Sequence, residues 1–356
     1  LDEETKVSWL AVIDYRMRIG TAEVSMAGIG GVYTDEEHRK QGYMRTLFED
    51  TVTYMTDQGY DVTQLFGIEN FYNKFGYATS LPKSHFTIKT RDAEAAEGTP
   101  DEVKSRAFDS DDMPEILRLY NAHNAMRTCS IVREPARTPE FKKSTWYGTP
   151  PEVRVWEDAK GQVAGYAVWD QSDTEVKVAE VDAWNDDLFP AILFTLAGEA
   201  VAKRCETIEV YAPPDHPFAE YAQRYGIEWT VRYPRYSDGM MRILNQKPLF
   251  TQLRPELERR LASSPLNGYS GTLAIKSNLG TVHLAFDAGT LTQDEAGDAD
   301  SVLTLSQDKL MQLIVGYRSV RDVLNSSKVE MEGEGGPLLN ALFPRGHPYT
   351  WRVDHY

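Results

Sequence analysis

Apolar and polar residues along the first ninety positions alternate between two periods. Residues 9–19 (WLAVIDYRMRI) and 23–33 (EVSMAGIGGVY) are rich in β-branched and aromatic residues, the composition of a strand. Between Gly42 and Gln58 the apolar residues Met44, Leu47, Phe48, Val52 and Met55 recur on one face at helical spacing. Gly59 follows where a helix stop belongs. Residues 60–68 (YDVTQLFGI) read as a buried strand, and 70–77 (NFYNKFGY) as a short helix closed by Gly76. This first block, to about Thr90, reads strand, turn, helix, strand, helix, strand.

Residues 91–105 (RDAEAAEGTPDEVKS) are polar with both Gly and Pro, and read as a linker. A second block, about 106–246, begins with an amphipathic helix carrying Ile116, Leu117, Leu119 and Tyr120. A hairpin turning at Lys160 and Gly161 follows, then a strand (VKVAEVDAW), a helix (FPAILFTLAGEAVAKRC) and a strand (TIEVYAP). That order repeats the first block's, so the second is expected to be a diverged copy of the fold without the basic turn. In the third block, 247–356, SGTLAIKS, GTVHLAFD and DSVLTLS alternate as half-buried antiparallel strands do, and QDKLMQLIVGYRSVRDVLNS supplies helices. The class expected is mixed α/β (α+β) throughout, with divisions at 1–95, 106–246 and 247–356.

Length and composition sharpen this. A chain of 356 residues exceeds one ordinary core and suggests two or three domains. No stretch of about 18 apolar residues occurs, so no membrane span is expected. The start, LDEETKVSWL, lacks the basic flank and apolar centre of a secretory signal and lacks an initiator Met. The two cysteines, Cys129 and Cys205, show no metal-ligand spacing and fit a reducing cytoplasm. A net charge of −16 argues against a general nucleic-acid binder and favours cationic substrates. No metal is expected: the seven His residues show no HExxH spacing, and the acidic loop 291–301 lacks the ligand order of an EF-hand. GEGGP, near residue 335, lacks the Lys of a P-loop and reads as a turn.

Against this acidic background, Arg39 and Lys40 stand just before Gly42, between a Gly-rich strand and an amphipathic helix. The first N–H groups of a helix have no partner within it, and with the helix dipole they form an anion site. Gly42 lets a bulky phosphate approach the backbone. A pyrophosphate suits such a turn. An Arg–Lys pair before a helix is equally what a solvated surface looks like, and the residues alone leave both readings open.

The string VYTDEEHRKQGYM resembles the acetyl-CoA motif of the GCN5-related N-acetyltransferase (GNAT) superfamily, a strand followed by Arg-x-x-Gly-x-Gly/Ala, with Met44 in the last position as a departure. ENFYNKFGY is similar to the segment that carries a catalytic Tyr in one branch. DADSVLTLSQDKLMQLIVGYRSVRDVLNSSKVEMEG resembles a sterol-carrier-protein-2-like (SCP2-like) module. Acetyltransferase domain, degenerate second acetyltransferase domain and sterol-carrier-like domain, in that order, resemble the Eis (enhanced intracellular survival) family of N-acetyltransferases.

The resemblance implies an acetyl-CoA-dependent transferase acting on a primary amine of an aminoglycoside, polyamine or lysine. It implies Val32, Tyr33 and Thr34 along the pantetheine arm, and Arg39, Lys40, Gln41, Gly42, Tyr43 and Met44 around the pyrophosphate. Tyr72 is implied as general acid for the leaving thiolate, and the carboxylate of Tyr356 as base, with Asp354 and His355 near enough to assist. A phenol suits this role because its ordinary pKa, near 10, is close to a thiol's. A homo-oligomer, commonly a hexamer, is implied as well. Domains of this superfamily open with a strand and one or two helices before the segment matching WLAVIDYRMRI, so an N-terminal truncation is expected. The alternative function is a non-catalytic protein whose third block holds a lipid or serves assembly.

Overall fold

The structure, a computed structural model, describes residues 6–96, 103–138, 140–294 and 297–356. In chain order the elements through the first two blocks are β1 (Ser8–Ile19), β2 (Ala22–Thr34), α1 (Tyr43–Asp57), β3 (Val62–Gly67), β4 (Ala78–Thr79), β5 (Lys83–Lys89), α2 (Thr90–Ala93), β6 (Lys104–Ala107), α3 (Met113–His123), β7 (Pro151–Glu157), β8 (Val163–Asp170), β9 (Val176–Ala183), α4 (Phe189–Ala202), β10 (Thr207–Val210), α5 (Pro217–Ala222), β11 (Ile227–Arg232) and β12 (Asp238–Ile243). The third block adds α6 (Gln246–Ala262), β13 (Gly271–Ser277), β14 (Gly280–Asp287), β15 (Thr290–Asp294), β16 (Ser301–Thr304), α7 (Gln307–Ile314), α8 (Val320–Leu324), β17 (Glu330–Glu332) and α9 (Gly336–Leu342). The class is mixed α/β, as the alternating periods imply.

The strands form three sheets, ordered β1-β2-β3-β12-β4, β11-β5-β10-β9-β8-β7-β6 and β15-β14-β13-β16-β17. Two strands sit outside the sheet that their sequence block suggests. β5 pairs antiparallel with β10 and β11 in the second sheet. β12 pairs antiparallel with β3 and β4 in the first. The divisions expected near residues 95 and 246 therefore do not bound the sheets, because strand edges are satisfied by hydrogen bonding in space and not by chain order. The segment expected to be a linker carries α2 and β6 at its two ends, while 97–102 lie outside the described residues.

Burial explains the sequence texture. Every residue of β8 is buried. Tyr166 and Val168 pack with Ile116, Leu117 and Leu119 of α3, whereas Ala167 and Trp169 pack with Leu193 and Leu196 of α4. A strand covered on both faces reads as a continuous apolar run, which hides its period of two.

The third sheet shares one core with the first: Met17, Val24 and Met26 pack with Leu249, Phe250, Leu253 and Leu257 of α6 and with Leu273, Ile275 and Leu284. At the junction Glu256 accepts from the backbone N–H and hydroxyl of Thr21 at 3.0 and 2.9 Å and pairs with Arg259 and Arg260. The chain end then threads between the first two sheets: Thr350 donates to Cys129 O at 2.7 Å and accepts from the Gln64 amide at 3.1 Å. Trp351 Nε1 donates to Asn124 at 3.0 Å. Among the described residues no helix is long and apolar enough to cross a membrane.

Candidate active site

β2 and β3 run parallel but pair only from Met26↔Val62 to Ile29↔Leu65. Beyond Ile29 the strands part, and among the described residues no strand pairs with the edge of β2 facing away from β1 from Gly30 to Thr34. A β-bulge on the other side shifts the register between Trp9 and Ala11, where β2 passes Gly31 at φ +59°. Bulges sharpen the twist of a strand, and only glycine takes that backbone conformation without strain. The open edge offers backbone N–H and C=O groups to an extended ligand as a missing strand would.

A cleft of about 530 Å³ lies at this edge. Val32, Tyr33, Thr34, Arg39, Lys40, Gly42, Tyr43 and Met44 line it together with Tyr72, and His38, Arg45, Ile68 and Phe71 complete the wall. Of the residues expected around a cofactor only Gln41 is outside the lining; its amide donates to Glu37 O at 3.0 Å. Gly42 caps α1 at φ +92°, and a Cβ there would meet nothing within 4 Å. Glycine is therefore needed for the turn and leaves open space before the helix. Arg39 donates through Nε to Thr34 O at 3.1 Å, tying the basic turn to the end of β2. Lys40 and Arg45 have no ion-pair partner among the described residues. Arg45 extends the cationic lip by one helical turn and lies outside the short sequence motif.

Tyr72 sits in the 3₁₀ turn Tyr72–Phe75, which closes at Gly76 with φ +81°. Its ring packs on Phe48 at 5.4 Å and on Phe71 edge-to-face at 4.9 Å. It also lies against Gly67, where a Cβ would stand 2.3 Å from a ring carbon. The ring is 6% exposed, and its hydroxyl has no hydrogen-bond partner among the described residues. Burial pushes the phenol up, so it remains a proton donor at neutral pH.

The opposite face of the same strand holds the chain end. Ala27 and Ile29 point toward α1 and Tyr72; Met26, Gly28 and Gly30 point the other way, as the period of two requires. A Cβ on Gly28 would stand 2.6 Å from the Tyr356 ring, and one on Gly30 would stand 3.1 Å from its carboxyl carbon. The phenol of Tyr356 donates to Gln64, whose backbone O and Oε1 both lie at 3.1 Å, and its ring stacks on Tyr15 at 5.3 Å. The two glycines admit the tail to the strand, and their period-two spacing in GIGG is the sequence signal that could have revealed it.

A buried ion cluster sets the approach of the tail. Arg133, with a side chain 1% exposed, donates to Glu180 at 2.7 and 2.5 Å and to Asp354 at 2.9 Å through two nitrogens. Tyr166 donates to Glu180 at 2.6 Å, and Tyr120 to Asp354 at 3.2 Å. The second sheet thereby holds the residue two positions before the chain end. Sequence reading passed over Arg133 and Glu180 because nothing in one dimension places them beside Asp354. Asp354 and His355, expected near enough to help with a cationic amine, both have protein partners for their polar atoms. Asp354 is committed to Arg133, and His355 stacks on Phe66 at 3.5 Å with Nε2 3.2 Å from Thr350 O. Burial, with Arg352 and Lys143 nearby, holds the His355 imidazole neutral, well below its ordinary pKa.

A second cleft, of about 570 Å³, opens beside Tyr356 on this face and is walled by Tyr15, Phe141, Lys143, Tyr147 and Val353 among others. One cleft thus borders β2 directly, and the other reaches its opposite face only through Tyr356, which packs on Gly28 and Gly30. The first is basic and carries the Tyr72 phenol; the other is closed by Tyr356. No cluster of His, Cys, Asp or Glu among the described residues could hold a metal ion.

Residues 1–80 match the family described as acetyltransferase (GNAT) domain. No curated protein matches the chain in sequence. Among solved structures, a GCN5-related N-acetyltransferase from Kribbella flavida is similar at 20% identity, with a TM-score of 0.74, over 100% of this chain and 86% of that one. A protein from Enterococcus faecalis described as a probable N-acyltransferase is similar at 17% identity and TM-score 0.76, over 100% and 88% of the two chains. Eis1 from Mycobacterium abscessus is similar at 16% identity and TM-score 0.67, over 100% and 89%. Residues 1–80 therefore match an acetyltransferase (GNAT) domain, and the whole chain shares its fold with these structures.

Proposed function

We propose that the chain is an acetyl-CoA-dependent N-acetyltransferase that moves an acetyl group to a primary amine in a ternary complex. One observation carries this reading: the basic cleft with Tyr72 and the Tyr356 carboxyl group lie on opposite faces of one strand, at the point where its sheet opens. The pyrophosphate of acetyl-CoA fits the α1 N-terminus between Arg39, Lys40 and the Gly42 turn. Its pantetheine arm fits the free edge at Val32, Tyr33 and Thr34. In the second cleft the terminal carboxylate of Tyr356 accepts a proton from the ammonium of the acceptor. The neutral nitrogen attacks the thioester carbonyl, and backbone N–H groups at the open edge of β2 stabilise the oxyanion. As the C–S bond breaks, Tyr72 gives its proton to the sulfur; the attacking nitrogen loses its second proton to solvent as the amide forms, and the Tyr72 phenolate takes a proton back from solvent.

Within this reading the second block is a degenerate acetyltransferase domain that supplies the wall of the acceptor cleft and the anchor for the tail. The third block is SCP2-like, the assembly is a homo-oligomer, commonly a hexamer in the Eis family, and the compartment is the cytoplasm. The test is thiol release from acetyl-CoA across a panel of amines, using protein that ends at Tyr356. Saturable release that collapses when residues are appended after Tyr356 supports the mechanism. Turnover indifferent to the appended residues removes the terminal carboxylate from it. Failure to bind coenzyme A removes the whole reading.

A further inference from the structure

The acceptor cleft holds four cations besides Lys143, and most are already neutralised. Arg16 pairs with Glu23 at 2.5 Å, and Arg137 with Asp14 at 2.8 Å and Glu134 at 3.6 Å. Arg133 is taken by Glu180 and Asp354, and Lys142 is exposed at the rim beside Glu140. Lys143 is different. It lines the cleft half-buried and has no hydrogen-bond or ion-pair partner among the described residues.

Its placement is built into the fold. Two residues before it, Phe141 is buried against Phe108 and Tyr166. Two residues after it, Thr145 is buried, and its N–H and hydroxyl bond the carboxylate of Asp170 at 3.0 and 2.8 Å. A lysine held between two buried anchors without a counter-ion is costly, and an anion entering the cleft relieves that cost. Tyr356, whose carboxylate is the pole proposed to receive an amine, lines the same cleft. Phe141, Tyr147, Val353 and Tyr15 give the cleft apolar wall as well.

We infer that this cleft selects an acceptor carrying an anionic group, a carboxylate, as well as its reacting amine, and that Lys143 is the residue that binds the anion. The inference rests on the proposed acetyl transfer and replaces a purely cationic acceptor with a zwitterionic one. Burial, aided by Arg352 and opposed by Asp354, lowers Lys143 to about 8, so the ammonium still predominates at pH 7 and a bound carboxylate would strengthen it.

The experiment compares matched amines on the full chain: 4-aminobutyrate against 4-aminobutyramide, lysine against lysinamide, and spermidine as a cation without a carboxylate. The expected result is a preference of roughly tenfold or more in kcat/KM for each carboxylate over its amide, the scale of one charge-assisted hydrogen bond. Lys143→Met should collapse that preference through KM, and Lys143→Arg should keep most of it. Calorimetric binding of 4-aminobutyrate and its amide to the same variants gives a readout independent of turnover. Lys143-dependent carboxylate binding without acetyl transfer upholds this inference and sinks the transferase reading. Transfer to spermidine and the amides at rates matching the carboxylates, unaffected by Lys143→Met, overturns the inference and leaves the transferase standing.

Discussion

Replacing Gly28 by Ala probes whether the chain end does chemistry where it sits. The added methyl carbon would stand 2.6, 2.8 and 3.0 Å from three carbons of the Tyr356 ring, whereas non-bonded carbons settle at about 3.5–4.0 Å. The ring must therefore retreat by about 1 Å. It has little room, being stacked on Tyr15 and bonded through its hydroxyl to Gln64. Gly28 is not among the positive-φ glycines, so alanine meets no backbone penalty and the effect is one of packing. Overpacking of this kind costs about 1–3 kcal/mol, read as a fall of several degrees in Tm. The carboxylate moves with the ring, and a shift of about 1 Å in a reacting group can cost roughly 100-fold in rate. The assay is kcat for thiol release beside the Kd for coenzyme A. The basic cleft lies on the other face, so Kd should hold while kcat falls. Wild-type kcat in a variant whose Tm has dropped would mean that the tail is only structural; an unchanged Tm would mean that it is not seated there at all.

Tyr72→Phe removes a hydroxyl with no hydrogen-bond partner among the described residues, so stability should stay within about 0.5 kcal/mol while kcat falls roughly 10²- to 10⁴-fold; equal turnover in both proteins would remove Tyr72 as the acid. Because burial raises its phenol above the ordinary 10, kcat should show no alkaline fall from this group in the neutral range, which a pH profile checks. Arg39→Gln with Lys40→Gln should weaken coenzyme A binding by roughly tenfold or more, with a loss that shrinks as salt rises. An affinity unchanged at low salt would return that turn to plain surface. Burial alone would raise Glu256, but Arg259, the Thr21 N–H and Arg260 outweigh it and hold its carboxyl at about 2 against an ordinary 4.5. A depressed folded pKa makes the contribution complete above about pH 4.5, and it is lost as pH falls toward 2. Urea midpoints from pH 6 to 3 should therefore fall more steeply for the wild type than for Glu256→Gln, and parallel curves would count against this coupling.

What the chain determines by itself is local. The helical spacing of Met44, Phe48, Val52 and Met55 matches α1, the strands around it fall where alternation and β-branching put them, and Gly42, Gly59 and Gly76 mark the turns at which the chain stops and starts. The basic turn was legible because everything in it comes from adjacent residues. So was Tyr72, through the string that surrounds it.

Tertiary structure decided what depends on pairs far apart in sequence. The exchange of β5 and β12 between sheets leaves no trace in periodicity, since a strand alternates in the same way whichever partner it takes. The parting of β2 from β3 is a failure of pairing, which no residue type announces. Arg133 reads as one more charged residue until folding places it between Glu180 and Asp354, 47 and 221 positions away. Lys143 likewise gains its meaning from its place in the cleft, with no ion-pair partner among the described residues. Burial and charge balance are sums over neighbours in space, and the chain order does not contain those neighbours.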